Sequence, residues 1–259
     1  MNTLIRKIKR GFKILKEEGI IYFLNFFLNW LFAWLKIDLP DFLISIRVSK
    51  NKLKKFESDD PKIVFDFIFK NFYLAFAPMQ IKKEFVELLK IFKERKPKTI
   101  LEIGTAKGGT LFCFCKLALK GSTIISIDLL GGPFGGGYPE WKIPIYQSFP
   151  KTNQKLYLLR KDSHKEETLE EVRKIFGDNK LDFLFIDGDH TYGGCKKDFV
   201  MYGPLVKDEG IVAFHDIVES PEVNGSVPRF WKEIKSGRKY RELVKDWNQG
   251  GYGIGVIYK

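Results

Sequence analysis

From Lys98 to the end of the chain, short apolar runs alternate with longer stretches of helical period. Thr99-Ile-Leu-Glu-Ile103, Thr123-Ile-Ile-Ser-Ile-Asp128, Lys155-Leu-Tyr-Leu-Leu-Arg160, Leu181-Asp-Phe-Leu-Phe-Ile-Asp187 and Gly210-Ile-Val-Ala-Phe-His-Asp216 each have the length of a strand. Helix-length segments separate them, the pattern of parallel strands joined by crossover helices. Upstream, Ile81, Phe85, Leu88, Leu89 and Phe92 recur at three- and four-residue steps, which predicts a helix over 79–95 with one buried face. Ser58-Asp-Asp-Pro-Lys62 predicts the capped start of a helix running through Lys70. Lys96-Pro-Lys-Thr99 marks a boundary, dividing a helical extension (1–95) from an α/β domain (96–259).

The strand ends carry the chemistry. The first run leads into Gly104-Thr-Ala-Lys-Gly108-Gly109 and then a helix, a turn that lets a ligand approach backbone N–H groups. The second ends in Asp128, about 20 residues past that turn, where a ribose hydroxyl pair is held in nucleotide-binding sheets. Asp162, Asp187 and Asp216 follow the next three runs. In an open α/β sheet such ends line one crevice, so Glu102, Asp128, Asp162, Asp187 and Asp216 are expected together.

Composition adds two constraints. Hydrophobic residues at 44% and charged residues at 29% of 259 suit a globular protein with a sizeable core. Cys113, Cys115 and Cys195 form neither a disulfide framework nor a zinc spacing, which suits reduced core thiols in the cytoplasm. The net charge of +12 asks for an anionic neighbour, and its distribution narrows the choice. Arg6, Lys7, Lys9, Arg10, Lys13 and Lys16 precede an uncharged run from Gly19 to Leu35. On a helix that run has a narrow polar stripe and a broad greasy face with Trp30 and Trp34, as in helices lying in a lipid headgroup region. Residues 1–36 are therefore expected to meet the inner face of a membrane, a second subunit as in a homodimer, or their own domain.

Leu101-Glu-Ile-Gly-Thr-Ala-Lys-Gly-Gly-Thr110 resembles the first motif of class I S-adenosylmethionine-dependent methyltransferases, E-x-G-x-x-x-G. Phe185-Ile-Asp-Gly-Asp-His-Thr-Tyr192, Asp198, Leu205-Val-Lys-Asp-Glu-Gly210 and Phe214-His-Asp-Ile217 resemble a subgroup of the methyltransferase family 24 type. It includes macrolide-sugar O-methyltransferases and cephalosporin-hydroxylase-like proteins. The resemblance spans about residues 98–259. It implies a Rossmann-like sheet of seven strands, helices on both faces, closed by an antiparallel hairpin over 240–259. It further implies S-adenosylmethionine as cofactor: Glu102, Gly104 and Gly108 at its methionine end, Asp128 on the ribose, Asp162 and Ser163 on the adenine side.

Metal-using members of that subgroup hold a divalent ion with an aspartate after the fourth strand and two acids after the fifth, and use a histidine three places beyond the first aspartate as base. Asp187 and His190 match that spacing; His215-Asp216 replaces the acid pair. The resemblance thus implies His190 and Asp187 as catalytic residues and Asp187, His215 and Asp216 as ligands of Mg²⁺ or Mn²⁺. The histidine shifts preference away from magnesium and leaves metal use open. The expected acceptor is a small molecule or glycan with a hydroxyl or neighbouring diol. The alternatives are a nicotinamide-dependent oxidoreductase, which wants G-x-G-x-x-G, and a non-catalytic membrane or partner-binding protein on the same fold. Nucleic acid is disfavoured as a substrate because no D/N-P-P-Y/F motif occurs.

Overall fold

A computed structural model describes residues 50–131, 136–220 and 226–259. The greasy run at 19–35 lies outside them. Among the described residues no helix is long and apolar enough to cross a membrane.

Seven strands form one sheet: β1 (Thr99–Ile103), β2 (Thr123–Asp128), β3 (Lys155–Arg160), β4 (Leu181–Ile186), β5 (Val206–His215), β6 (Lys239–Leu243) and β7 (Ile254–Tyr258), in the order β3-β2-β1-β4-β5-β7-β6. The first five are parallel, and β7 runs antiparallel to both β5 and β6. This is the sheet the sequence implied, closing hairpin included. The fifth strand begins earlier than its apolar core suggested, at Val206, where its polar start Lys207-Asp-Glu209 carries little hydrophobic signal.

Period-two alternation sorts the strand side chains into two layers. Ile100, Phe183, Phe185, Ile211 and Ala213 face one apolar cluster; Leu101, Ile103, Leu184, Ile186, Val212 and Phe214 face the other. The first layer is covered by α1 (Lys50–Lys55), α2 (Pro61–Phe76), α3 (Lys82–Arg95) and α4 (Gly109–Leu117). The second is covered by α6 (Glu166–Phe176), α7 (Tyr192–Tyr202) and α8 (Val227–Ile234); a short helix, α5 (Ile143–Tyr146), precedes β3. Rings from both sides of residue 96 interlock: Phe92 lies 5.0 Å from Phe114 and 4.8 Å from Phe183. Residues 61–95 thus share one core with the sheet.

Both helices expected before β1 are present. Asp60 caps α2 ahead of its proline start, its Oδ1 accepting from the N–H groups of Lys62 (2.7 Å) and Ile63 (3.0 Å). Helix α3 begins at Lys82, leaving Met79 and Gln80 in an irregular connection. The apolar period predicted the buried face well and the first turn poorly, because Met79 is exposed and lies outside that face.

Candidate active site

A cleft of about 460 Å³ opens over the carboxyl ends of the parallel strands. Gly104, Asp128, Asp162, Ser163, Asp187, His190, His215 and Asp216 all line it, whereas Glu102 and Gly108 lie behind its wall.

The turn after β1 explains both placements. Gly104 has φ +97°, and a Cβ there would stand 2.1 Å from the backbone oxygen of Asp187, so only glycine lets the ends of β1 and β4 meet. Gly108, at φ +81°, leaves room for the Tyr146 ring, which a Cβ would meet at 2.6 Å; it shapes the turn without facing the cleft. Glu102 is fully buried beneath the turn and accepts hydrogen bonds from the hydroxyls of Thr110 and Ser126. Burial raises its pKa to about 8 against those bonds, so the group is neutral at pH 7. It braces the turn from behind.

Asp128 sits at the far lip of the same turn. Its Oδ2 accepts from the N–H of Ala106 (2.6 Å) and its Oδ1 from the N–H of Gly137 (2.8 Å). Burial pushes its pKa up while those N–H groups pull it down. Ala106 adopts φ +43°, a left-handed conformation that turns its amide toward the carboxylate. Beyond β3, Asp162 Oδ1 accepts from the N–H of His164 (2.8 Å) and the Ser163 hydroxyl donates to Asp198 Oδ1 (2.7 Å). His164 faces the cleft with Nε2 3.3 Å from Asp198, and that carboxylate raises its pKa.

The ends of β4 and β5 carry two linked histidine–carboxylate pairs. His190 Nδ1 lies 2.7 Å from Asp216 Oδ2, and its Nε2 is 3.7 Å from Asp187 Oδ1. His215 Nδ1 lies 2.9 Å from Asp187 Oδ1 and 3.4 Å from Asp216 Oδ1. Burial opposes charge on both rings, but the two carboxylates prevail, raising His190 and holding His215 at about 9. Asp189 lines the cleft too, its Oδ1 accepting from the N–H of Thr191 (2.8 Å) beside the start of α7, whereas Asp187 is the acid that meets His215 and Gln80.

These contacts bear on a metal. Asp187 and Asp216 direct oxygen lone pairs at imidazole Nδ1 atoms, the same lone pairs a cation would need. Among the described residues no group of three His, Cys, Asp or Glu side chains is arranged to hold a metal ion. The expected ligands Asp187, His215 and Asp216 are brought together, with the Nδ1 atoms of His190 and His215 facing the two carboxylates.

A family model described as a methyltransferase domain matches residues 101–217. Over that segment the chain is similar to a methyltransferase domain. That segment contains every strand-end residue named above, from Glu102 to Asp216. Two curated relatives are uncharacterized proteins: y4gI of Sinorhizobium fredii is 30% identical over 170 residues, covering 63% of this chain and 17% of its own length. R132 of Acanthamoeba polyphaga mimivirus is 28% identical over 148 residues, covering 56% of this chain and 64% of its own. The chain thus spans less than two thirds of either relative. The chain also shares its fold with the O-methyltransferase TomG of Streptomyces achromogenes, solved in complex with SAM. The TM-score is 0.50 at 14% identity, over 83% of this chain and 95% of that one.

Motif reading left out several residues of the wall. Gln80, Ser220, Gly250, Gly251 and Tyr252 all line the cleft. The Gly250-Gly251 pair was legible only as a turn, and Gln80 belongs to no strand end.

Proposed function

We propose that the protein is an S-adenosylmethionine-dependent O-methyltransferase acting on a hydroxyl of a sugar or other small diol-bearing acceptor, with His190 as general base. The carrying observation is the pairing of His190 Nδ1 with Asp216 inside a cleft that Asp128 also lines. Gly104 lines the cleft at the end of β1, and Asp128 presents a carboxylate fixed by backbone, so a nucleoside with an amino-acid tail suits the turn. Asp128 would hold the ribose, the turn at Gly104 the methionine end, and Asp162 with Ser163 the adenine side. When bound, the cofactor supplies an electrophilic methyl group.

The protein must then position the acceptor oxygen and remove its proton. Nδ1 of His190 faces Asp216, and that carboxylate stabilises the imidazolium formed when the ring takes up the acceptor's proton. Asp187, 3.7 Å from Nε2, adds negative charge that strengthens the base. The basic and greasy sequence at 1–36 supports an acceptor presented at the inner face of a membrane, such as a glycan precursor.

Calorimetric titration with S-adenosylhomocysteine tests the cofactor reading: saturable binding that Asp128→Ala abolishes supports it, and no binding to the wild type overturns it. Co-sedimentation with anionic vesicles, lost on deletion of residues 1–36, tests the membrane reading.

A further inference from the structure

Outside the matched segment, the connection between α2 and α3 brings Gln80 into the cleft wall. The residue is 7% exposed, and its Nε2 donates to Asp187 Oδ2 at 2.6 Å. A carboxylate can only accept there, so this contact fixes which end of the amide is nitrogen and sends Oε1 the other way. That oxygen is buried and has no hydrogen-bond partner among the described residues. A buried acceptor left unpaired weakens the fold and calls for an explanation. Helix capping does not supply one: Ile81 occupies the cap position of α3, with no side-chain cap bond.

The approach of this segment to the site is fixed from a second side. Glu84, in the first turn of α3, is 2% exposed and accepts from the N–H groups of Lys245 (2.9 Å) and Gly253 (3.0 Å) and from Gln249 Nε2 (2.7 Å). It thereby ties the turn containing Gly250 and Gly251, another part of the cleft wall, to the same helix. Gln80 is thus held beside Asp187, whose backbone abuts Gly104.

We propose that Gln80 reads the bound small molecule: Nε2 fixes Asp187, while Oε1 accepts a hydrogen bond from an N–H or O–H group of the ligand lodged between Gly104 and Asp187. The inference rests on the methyltransferase reading. Two ligand groups share this chemistry, the amino group of the cofactor's methionine end and a hydroxyl of the acceptor.

Calorimetry on wild type and Gln80→Met separates them, using S-adenosylhomocysteine and methylthioadenosine, which lacks the amino-acid end. A loss of about tenfold in S-adenosylhomocysteine affinity, with methylthioadenosine unchanged, assigns the contact to the amino group, as expected for one charge-assisted hydrogen bond. Unchanged affinities for both, with a catechol hydroxyl bonded to Oε1 in crystals of the wild-type S-adenosylhomocysteine complex soaked in catechol, assign it to the acceptor. If those crystals show Oε1 bonded to neither ligand, the proposal is overturned; they decide the matter even where Gln80→Met does not fold. Failure of the wild type to bind S-adenosylhomocysteine would remove the methyltransferase reading itself. Wild-type binding with an indifferent Gln80 would remove this inference alone.

Discussion

His190 is asked to be neutral before it takes a proton, yet Asp216 and Asp187 favour its charged form. The folded pKa is raised above 6.5, so the fraction of neutral base grows only as pH climbs through that higher value. Turnover should therefore rise with pH along a limb whose midpoint lies above 6.5, and a midpoint below that value would contradict the assignment. A sulfonium bound at Gly104 works in the opposite direction, since a nearby positive charge disfavours imidazolium. Replacing the base tests the same point: His190→Gln should lower kcat about 10²- to 10⁴-fold, the usual range for general-base catalysis, with S-adenosylhomocysteine affinity nearly unchanged. Glu102 offers an independent titration. Its folded pKa of about 8 exceeds the ordinary 4.5, so the folded state holds a proton that the unfolded chain releases. Stability from this group is fullest below pH 4.5 and declines as pH rises to about 8, by at most ~1.4 kcal/mol per pH unit. Thermal melts of wild type and Glu102→Gln should diverge across that window, the variant gaining relative stability with pH; parallel curves would show that Glu102 is not buried neutral.

At the level of elements, the strand ends do two jobs in sequence. The parallel strands β2 to β5 each deliver an acid to the cleft, aimed by a backbone or imidazole N–H, while Glu102 of β1 stays behind the wall, held by hydroxyls. Strand identity was legible in the sequence because five apolar runs at crossover spacing admit few other folds. Aim was not legible, since it depends on partners far away in the chain. Asp187 and Asp189 look alike in sequence, and only the neighbours Gln80 and His215 against Thr191 distinguish them. His164 illustrates the same limit: its position before α6 concealed a contact with Asp198 on α7. A chelator separates the network from a metal cage. Turnover should persist in EDTA, and loss of turnover restored by Mn²⁺ would show that the histidine–carboxylate pairs rearrange around an ion.

Across the whole molecule, the boundary at residue 96 marks a change in sequence pattern inside a continuous core. Phe85, Leu88, Leu89 and Phe92 of α3 are buried with Phe114, Phe183 and Phe185 in one cluster. Losing even one such ring costs ~3–5 kcal/mol, comparable to a typical domain's entire stability of ~5–15 kcal/mol. A polypeptide of residues 96–259 should therefore lack a cooperative thermal transition, and one of residues 50–259 should keep it. A cooperative melt of the shorter piece would restore the boundary as a true domain edge.

Glu84 joins chain segments more than 160 positions apart, gripping the final hairpin's turn from the first turn of α3. The amide of Gly253 consequently reports on more than its own strand. Its exchange with deuterated solvent would be gated by the same opening that frees Gln80 from Asp187, so one slow proton near the carboxyl terminus can serve as a clock for the integrity of the catalytic cleft.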